Sequence, residues 1–198
     1  RGVEDMPLVR ITEHKMSDSQ LCMKRAFDMT VALASLILLS PVYLLLFILV
    51  WATSKGPAIY KQERIGLHGI PFNILKFRTM RDDAESDIPQ LSADNDPRIT
   101  WIGAYLRKYR LDELPQMWNV LKGDMSIVGP RPERRYFIEQ IEKQAPYYCL
   151  LYKIRPGLTS WGPVKVGYTD TIEKMVQRLN YDIVYVENMS LQLDFKIL

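Results

Sequence analysis

The chain has 198 residues, is 47% hydrophobic and 25% charged, and carries a net charge of +3. That is about one domain of ordinary globular composition, so an apolar run within it is local rather than a sign of a polytopic chain. The weak positive balance suits an anionic surface or a phosphorylated substrate and argues against nucleic acid.

Two histidines, His14 and His68, stand alone, against a histidine zinc site or a Ser–His triad; Cys22 and Cys149 show no metal or redox spacing, which fits a reducing cytoplasm. Residues 1–18 are polar and mixed and read as a linker. The chain starts at Arg1 without Met and stops at Leu198 inside an apolar pattern, so the expectation is an excerpt from a longer protein. Met23 to Phe27 lead into an uncharged apolar run from Met29 to Ser54, 26 residues long. A straight helix of that length would measure roughly 39 Å, enough to cross a hydrocarbon core of ~30 Å. It is too long for a cleaved signal, and no processing motif follows. Ser40-Pro41 breaks it near the middle: Pro41 has no N–H and its ring clashes with the Ile37 carbonyl.

Two topologies are open. A kinked helix spans the bilayer, with groups such as the Ser40 hydroxyl helping the freed carbonyl. Alternatively, two arms of roughly 18 Å each meet at a wide angle and return to one face. Lys15, Lys24 and Arg25 precede the run and Lys55, Lys61 and Arg64 follow it, a basic flank at both ends that favours the second.

After Lys55-Gly56-Pro57, apolar positions from Ala58 and Tyr60 to Ile70, Phe72, Ile74, Leu75 and Phe77 predict short strands around a turn at Gly66 to Gly69. Arg81 to Asp96 is an acidic stretch with Ser, Pro and Asn, a loop or frayed helix. Helices are expected over Ile102 to Leu111, over Leu114 to Leu121 with a stop at Gly123, and over Tyr136 to Lys143. Pro130 and Pro132 enforce an extended loop, and Arg155-Pro156-Gly157 a turn followed by a strand near Trp161 to Val166. Thr171 to Val186 predicts an amphipathic helix for lipid or core.

Four clusters carry chemistry: Lys76 to Met80, Arg107 to Glu113, Gly129-Pro130-Arg131-Pro132 and Arg155-Pro156-Gly157. Two of them hold an arginine where Pro or Gly fixes the backbone, a fork of donors suited to phosphate or simply a solvent-facing loop. Asp112-Glu113 is the sharpest signal. Its bland reading is capping of the helix at Leu114-Pro115; its chemical reading is one carboxylate attacking phosphorus while the other holds a cation. Arg107, Lys108 and Arg110 are expected to favour the ionised form.

Leu111-Asp112-Glu113-Leu114-Pro115-Gln116-Met117-Trp118-Asn119-Val120-Leu121-Lys122-Gly123-Asp124-Met125-Ser126, followed by Ile127-Val128-Gly129-Pro130-Arg131-Pro132, resembles the core of the bacterial sugar transferase family, the monotopic phosphoglycosyl transferases. The resemblance runs from about Lys24 to Leu198 and includes Lys24-Arg25-Ala26-Phe27-Asp28, Ser40-Pro41, Gln62 to Gly66, Asp96 to Thr100 and Tyr181 to Ser190. It implies an α+β fold: a mostly helical, membrane-associated catalytic domain over 23–198, with a re-entrant helix–break–helix over 24–54 and a few short strands. Residues 1–22 would then link it to an N-terminal membrane region.

By the same resemblance, Asp112 takes a sugar phosphate from a nucleoside-diphosphate sugar, expected to be a UDP-sugar, and releases nucleoside monophosphate. Polyprenyl (undecaprenyl) phosphate then accepts it, the first membrane step of capsule, exopolysaccharide or O-antigen synthesis. Glu113 would help hold Mg²⁺. Arg107 matches a family arginine, and Lys76, Arg78, Arg131 and Arg155 are expected along the phosphate or nucleotide path. The implied location is the cytoplasmic face of the bacterial inner membrane. The expected partners are membrane lipids, a second copy of the chain and downstream glycosyltransferases, with no nucleic acid.

Relatives carry a Gly-Trp-Ala-Gln-Val-Asn-Gly-like stretch where this chain reads Ser160-Trp161-Gly162-Pro163-Val164-Lys165-Val166-Gly167, so donor choice does not transfer from them. A catalytically silent membrane anchor and a membrane phosphohydrolase with an acyl-phosphate intermediate are the alternatives.

Overall fold

The computed structural model describes residues 16–81, 84, 89–90, 96–167 and 171–198. Most of the expected linker and most of the acidic stretch 81–96 lie outside these. Ser17 opens the first helix with a capping box: its hydroxyl accepts the Gln20 N–H while the Gln20 side chain accepts the Ser17 N–H. Helix α1 (Asp18–Leu38) ends at Leu39, and α2 (Ser40–Thr53) leaves at a 65° bend. The break thus falls at Leu39, and Ser40-Pro41 form the first turn of α2, where a missing N–H costs no helical bond. No single described helix is long and apolar enough to cross a membrane; the bent pair together is.

Strands β1 (Ile59–Ile65) and β2 (Pro71–Phe77) pair antiparallel from Ile59–Phe77 to Ile65–Pro71, around a tight turn with His68 at φ 58°. There follow α3 (Trp101–Lys108), a 3₁₀ turn (Leu111–Glu113), α4 (Gln116–Lys122) and β3 (Ser126–Val128). Helix α5 (Arg135–Gln144), a 3₁₀ segment (Pro146–Lys153), β4 (Gly157–Thr159), α6 (Trp161–Val166), α7 (Ile172–Glu187) and α8 (Leu191–Ile197) complete the chain. The architecture is a helix-rich α+β domain with two small two-stranded sheets, β1–β2 and the parallel β3–β4.

Two sequence expectations are corrected. Trp161 to Val166 is a helix, and the strand lies earlier at Gly157–Thr159. Pro163 fits the first turn of α6, where its absent N–H is not needed. Gly162 lets that turn seat on α7, because a Cβ there would meet Arg178 Cγ at 2.2 Å. Lys24 and Arg25, counted as charges flanking a membrane run, are not lipid-facing. Lys24 is buried, 2.5 Å from Asp194 and 3.1 Å from the Val128 carbonyl, and Arg25 caps the C-terminal end of α4 through Val120 O (2.7 Å) and Leu121 O (2.9 Å).

Of the two settings left open for the amphipathic stretch 171–186, the structure takes the core: α7 buries Met175, Leu179 and Ile183 against Phe137, Ile138 and Ile141 of α5. A second cluster joins Ala32 of α1 to Ile74, Val120, Met125 and Tyr185. A third seats Leu46 and Val50 of α2 on Ala58, Phe77, Ile102 and Leu106. The two arms of the bent pair are therefore packed on one domain. Their other faces stay bare, with Leu33, Ile37, Leu38, Leu44, Leu45, Phe47, Ile48 and Trp51 exposed.

Candidate active site

Four pieces of chain converge beyond the end of β2. Helix α3 starts at Thr100, whose hydroxyl accepts the Gly103 N–H at 3.0 Å and whose own N–H bonds Thr79 O at 2.9 Å. Its first turn lies directly on the strand backbone: a Cβ on Gly103 would sit 2.0 Å from Thr79 O. The helix ends at Tyr109, and Arg110 turns the chain in the left-handed region (φ 57°), a conformation costing a non-glycine residue about 1–2 kcal/mol. That turn sends Leu111–Glu113 back over β2. Asn119 of α4 then locks the helix to the strand, its amide accepting from Leu75 N (3.0 Å) and donating to Asn73 O (2.8 Å) like a neighbouring strand. From the other side, Tyr43 of α2 donates to Leu114 O at 2.9 Å.

The loop after β3 brings in Arg131. Gly129 and Gly157 face each other so closely that a Cβ on Gly157 would lie 2.1 Å from Gly129 N, which holds β3 against β4. Asp182 of α7 accepts the backbone N–H of Arg131, together with the Ser160 hydroxyl and the Gly162 N–H. Glu133 takes Arg64 on one oxygen at 3.0 Å and Arg178 on the other. Sequence reasoning missed Tyr43, Asn119, Glu133 and Asp182. Glu133 had one available signal: a chain with several arginines near one loop needs a carboxylate among them.

The two central carboxylates have opposite surroundings. Glu113 Oε1 is held by Lys76 Nζ at 2.9 Å and Arg131 Nη2 at 2.8 Å, and Oε2 faces Arg110 at 3.8 Å. Burial opposes its charge, but Arg131 and Lys76 outweigh it and hold this carboxyl well below the usual range. Asp112 is equally buried, at 8% exposure, yet its Oδ1 has no hydrogen-bond partner among the described residues. Burial raises its pKa, with Glu113 adding to the rise and Lys76 and Arg107 opposing it. Neither acid caps α4, which has no side-chain capping bond, so the capping alternative is corrected. Of Arg107, Lys108 and Arg110, expected to favour the ionised form, Arg107 does so at Asp112 but burial outweighs it, and at Glu113 the cations that prevail are Arg131 and Lys76.

The other residues singled out from the sequence lie as follows. Arg107 donates to Thr79 Oγ1 at 2.9 Å, close enough to bear on Asp112. Arg78 donates to Lys55 O at 2.7 Å, at the foot of α2. Arg155 donates to Gly123 O at 3.0 Å, at the opposite end of α4 from the acids. Among the described residues, no group of three His, Cys, Asp or Glu gathers to make an all-protein metal site. Mg²⁺ asks for less, one or two carboxylates with phosphate oxygens and water, and Glu113 Oε2, 3.8 Å from Arg110, is a carboxylate oxygen of that kind.

A buried carboxylate oxygen with no donor among the described residues thus lies one residue from an acid that orders two cations. The comparisons with known proteins name the class: the family model of the bacterial sugar transferases matches residues 19–198. The chain belongs to the bacterial sugar transferase family.

It is 39% identical over 194 residues to the UDP-glucose:undecaprenyl-phosphate glucose-1-phosphate transferase of Escherichia coli K12, covering 97% of this chain and 42% of that protein. It is 40% identical over 174 residues to the UDP-N-acetylgalactosamine-undecaprenyl-phosphate N-acetylgalactosaminephosphotransferase of Aeromonas hydrophila, covering 88% and 41%. Against the UDP-glucose:undecaprenyl-phosphate glucose-1-phosphate transferase of Caulobacter vibrioides the identity is 43%, covering 88% and 66%. The chain thus spans about two fifths of the length of the first two of these relatives.

Proposed function

We propose that this chain carries the catalytic domain of a transferase that moves a sugar 1-phosphate from a UDP-sugar to undecaprenyl phosphate. The observation that carries the reading is the asymmetry of the acid pair, with Glu113 immobilised by Lys76 and Arg131 and Asp112 Oδ1 left without a donor. The relatives named for this reaction support the substrate class. In the first step an Asp112 oxygen attacks the sugar-proximal phosphorus. The bond to the departing nucleoside monophosphate breaks with its electron pair, and an aspartyl phosphosugar remains. In the second, an oxygen of undecaprenyl phosphate attacks that phosphorus and the Asp112 carboxylate leaves unchanged. Lys76 and Arg131, held at Glu113, place positive charge beside the phosphates. Bound at Glu113, Mg²⁺ would offset the charge of the diphosphate.

The bent pair belongs to the same reading. The N-terminal half of α1 is anchored through Lys24, Arg25 and Asp28, and Asp28 accepts from Ser126 Oγ (2.7 Å) and Ile127 N (3.1 Å). The foot of α2 is anchored at Lys55, and its packed face lies on the same domain. Both ends of an inserted pair would therefore emerge on one face of a bilayer, on the cytoplasmic side where nucleotide sugars are made. A re-entrant hairpin holds the acids where a water-soluble donor meets a lipid phosphate.

Two experiments test this. Full-length protein with Mg²⁺ and a UDP-sugar, UDP-glucose or UDP-N-acetylgalactosamine, should release about one UMP per active site before any lipid acceptor is added. Continuous release without acceptor would point to a hydrolase, and no release from a broad nucleotide-sugar panel to a silent anchor. For topology, single cysteines at 22 and 55 should both be shielded from an impermeant maleimide in intact cells and both react in inverted vesicles. Labelling from opposite sides would show a spanning helix instead.

A further inference from the structure

Three buried side-chain polar atoms have no hydrogen-bond partner among the described residues: Asp112 Oδ1, Gln116 Nε2 and Glu187 Oε1. Two of the three, one in the 3₁₀ turn and one at the start of α4, are four residues apart. Buried polar groups are almost always paired, so each exception needs a cause. From Leu111 to Lys122 the chain follows a right-handed helical path: the 3₁₀ turn, then Leu114 at φ −51°, ψ −41° and Pro115 at φ −60°, ψ −15°, then α4. Asp112 and Gln116 are four residues apart on it, a spacing that in a regular helix separates Cβ atoms by roughly 5–6 Å. Gln116 is 1% exposed.

An amide donor and a carboxylate acceptor at that spacing are placed to face one bound group. They do not pair. A single water could bridge the two, donating to the carboxylate and accepting from the amide; a bound phosphoryl group in its place presents phosphorus to the carboxylate oxygen and an oxygen to the amide. Lys76 and Arg131 are oriented by Glu113 and bring charge, whereas the amide brings a neutral, buried donor.

We propose that Gln116 is a further catalytic residue, its Nε2 donating to a non-bridging oxygen of the phosphoryl group that Asp112 Oδ1 attacks. This rests on the aspartyl-transfer reading above. As the new O–P bond forms and the bond to UMP breaks, charge shifts onto the equatorial oxygens. A fixed donor in a buried site stabilises that charge without reorganising. Being neutral, the amide also leaves the affinity for the departing UMP lower than a third cation would.

The test uses full-length protein in lipid nanodiscs with Mg²⁺ and UDP-glucose or UDP-N-acetylgalactosamine, without lipid acceptor. The rate and final amount of the aspartyl phosphosugar are read by intact mass, and stability by thermal melting. Gln116→Met keeps the volume and removes the donor; adduct formation should slow by ~10²-fold, as when one oxyanion donor is lost. The final amount of adduct should be unchanged, and the melting temperature equal or higher, because an unsatisfied buried N–H has gone. Gln116→Glu keeps the shape and replaces the donor with an acceptor, and should slow the step at least as much.

Wild-type rates in both variants would overturn the proposal. So would a rate loss that merely tracks a fall in melting temperature, since a structural role predicts that pairing. If the wild-type protein consumes donor and never gains the adduct mass, the aspartyl-transfer reading itself fails and takes this proposal with it. An adduct that forms normally in both variants sinks the glutamine alone.

Discussion

Replacing Asp112 by Asn is expected to abolish UMP release, by ~10⁴-fold or more, as loss of a covalent nucleophile does, while leaving the protein as stable as before or more so. The second half follows from electrostatics. Burial raises the folded-state pKa of Asp112 above its ordinary value of 3.8. The stability tied to its protonation is fully present below the unfolded pKa and is lost as pH rises through the folded pKa. At neutral pH the ionised carboxylate is therefore a cost to folding, which a neutral isostere removes. Melting at pH 7 checks this beside the burst assay. A variant that keeps the burst places the nucleophile elsewhere, and one that melts well below wild type shows that Asp112 is structural.

The neighbouring acid should behave in the opposite way. Glu113→Gln leaves Lys76 and Arg131 without their shared anion, and removing one partner of a buried ion pair costs about 3–5 kcal/mol. Here the folded pKa is depressed below the ordinary 4.5, so the contribution is present above the unfolded pKa and is lost as pH falls through the folded one. The gap in unfolding free energy between wild type and variant should be full at pH 7 and narrow in acid. A gap that does not change with pH would show that Glu113 acts through packing. Together the two variants separate two carboxylates that are adjacent in sequence: the proposed nucleophile, expected to cost stability, and the acid that orders the charges, expected to supply it.

Much of this could be read from the residues, for identifiable reasons. The break near Ser40-Pro41 follows from a missing N–H and a ring clash, both local to the chain. The β1–β2 hairpin follows from alternation around Gly66 to Gly69, and the stop of α4 from Gly123, at φ 104°. Errors arose where tertiary contacts decide. Trp161 to Val166 is short and apolar enough to read as a strand, and only the seat of Gly162 on α7 makes it helical.

Lys24 and Arg25 illustrate the same limit. A charge count sees two cations beside an apolar run, whereas their partners, Asp194 and the end of α4, are about a hundred or more residues away in sequence. In the site, Lys76, Arg131 and the acid pair were legible as residue types. The unequal treatment of Asp112 and Glu113 was not, since it depends on which acid the folded chain turns toward the cations.

The seating of α2 on the domain has a practical consequence for anyone seeking a water-soluble form of this enzyme by trimming away its greasy N-terminal segment. Leu46 and Val50 are buried against Phe77, Ile102 and Leu106, and losing those two contacts alone forfeits roughly 3–6 kcal/mol, a large part of a typical domain's margin of 5–15 kcal/mol. Tyr43 would go with them, and its bond to Leu114, two residues on from Asp112. Truncation would thus uncover a sticky floor and unsettle the turn that holds the acid pair. Solubility and turnover in this molecule are not separable by a cut.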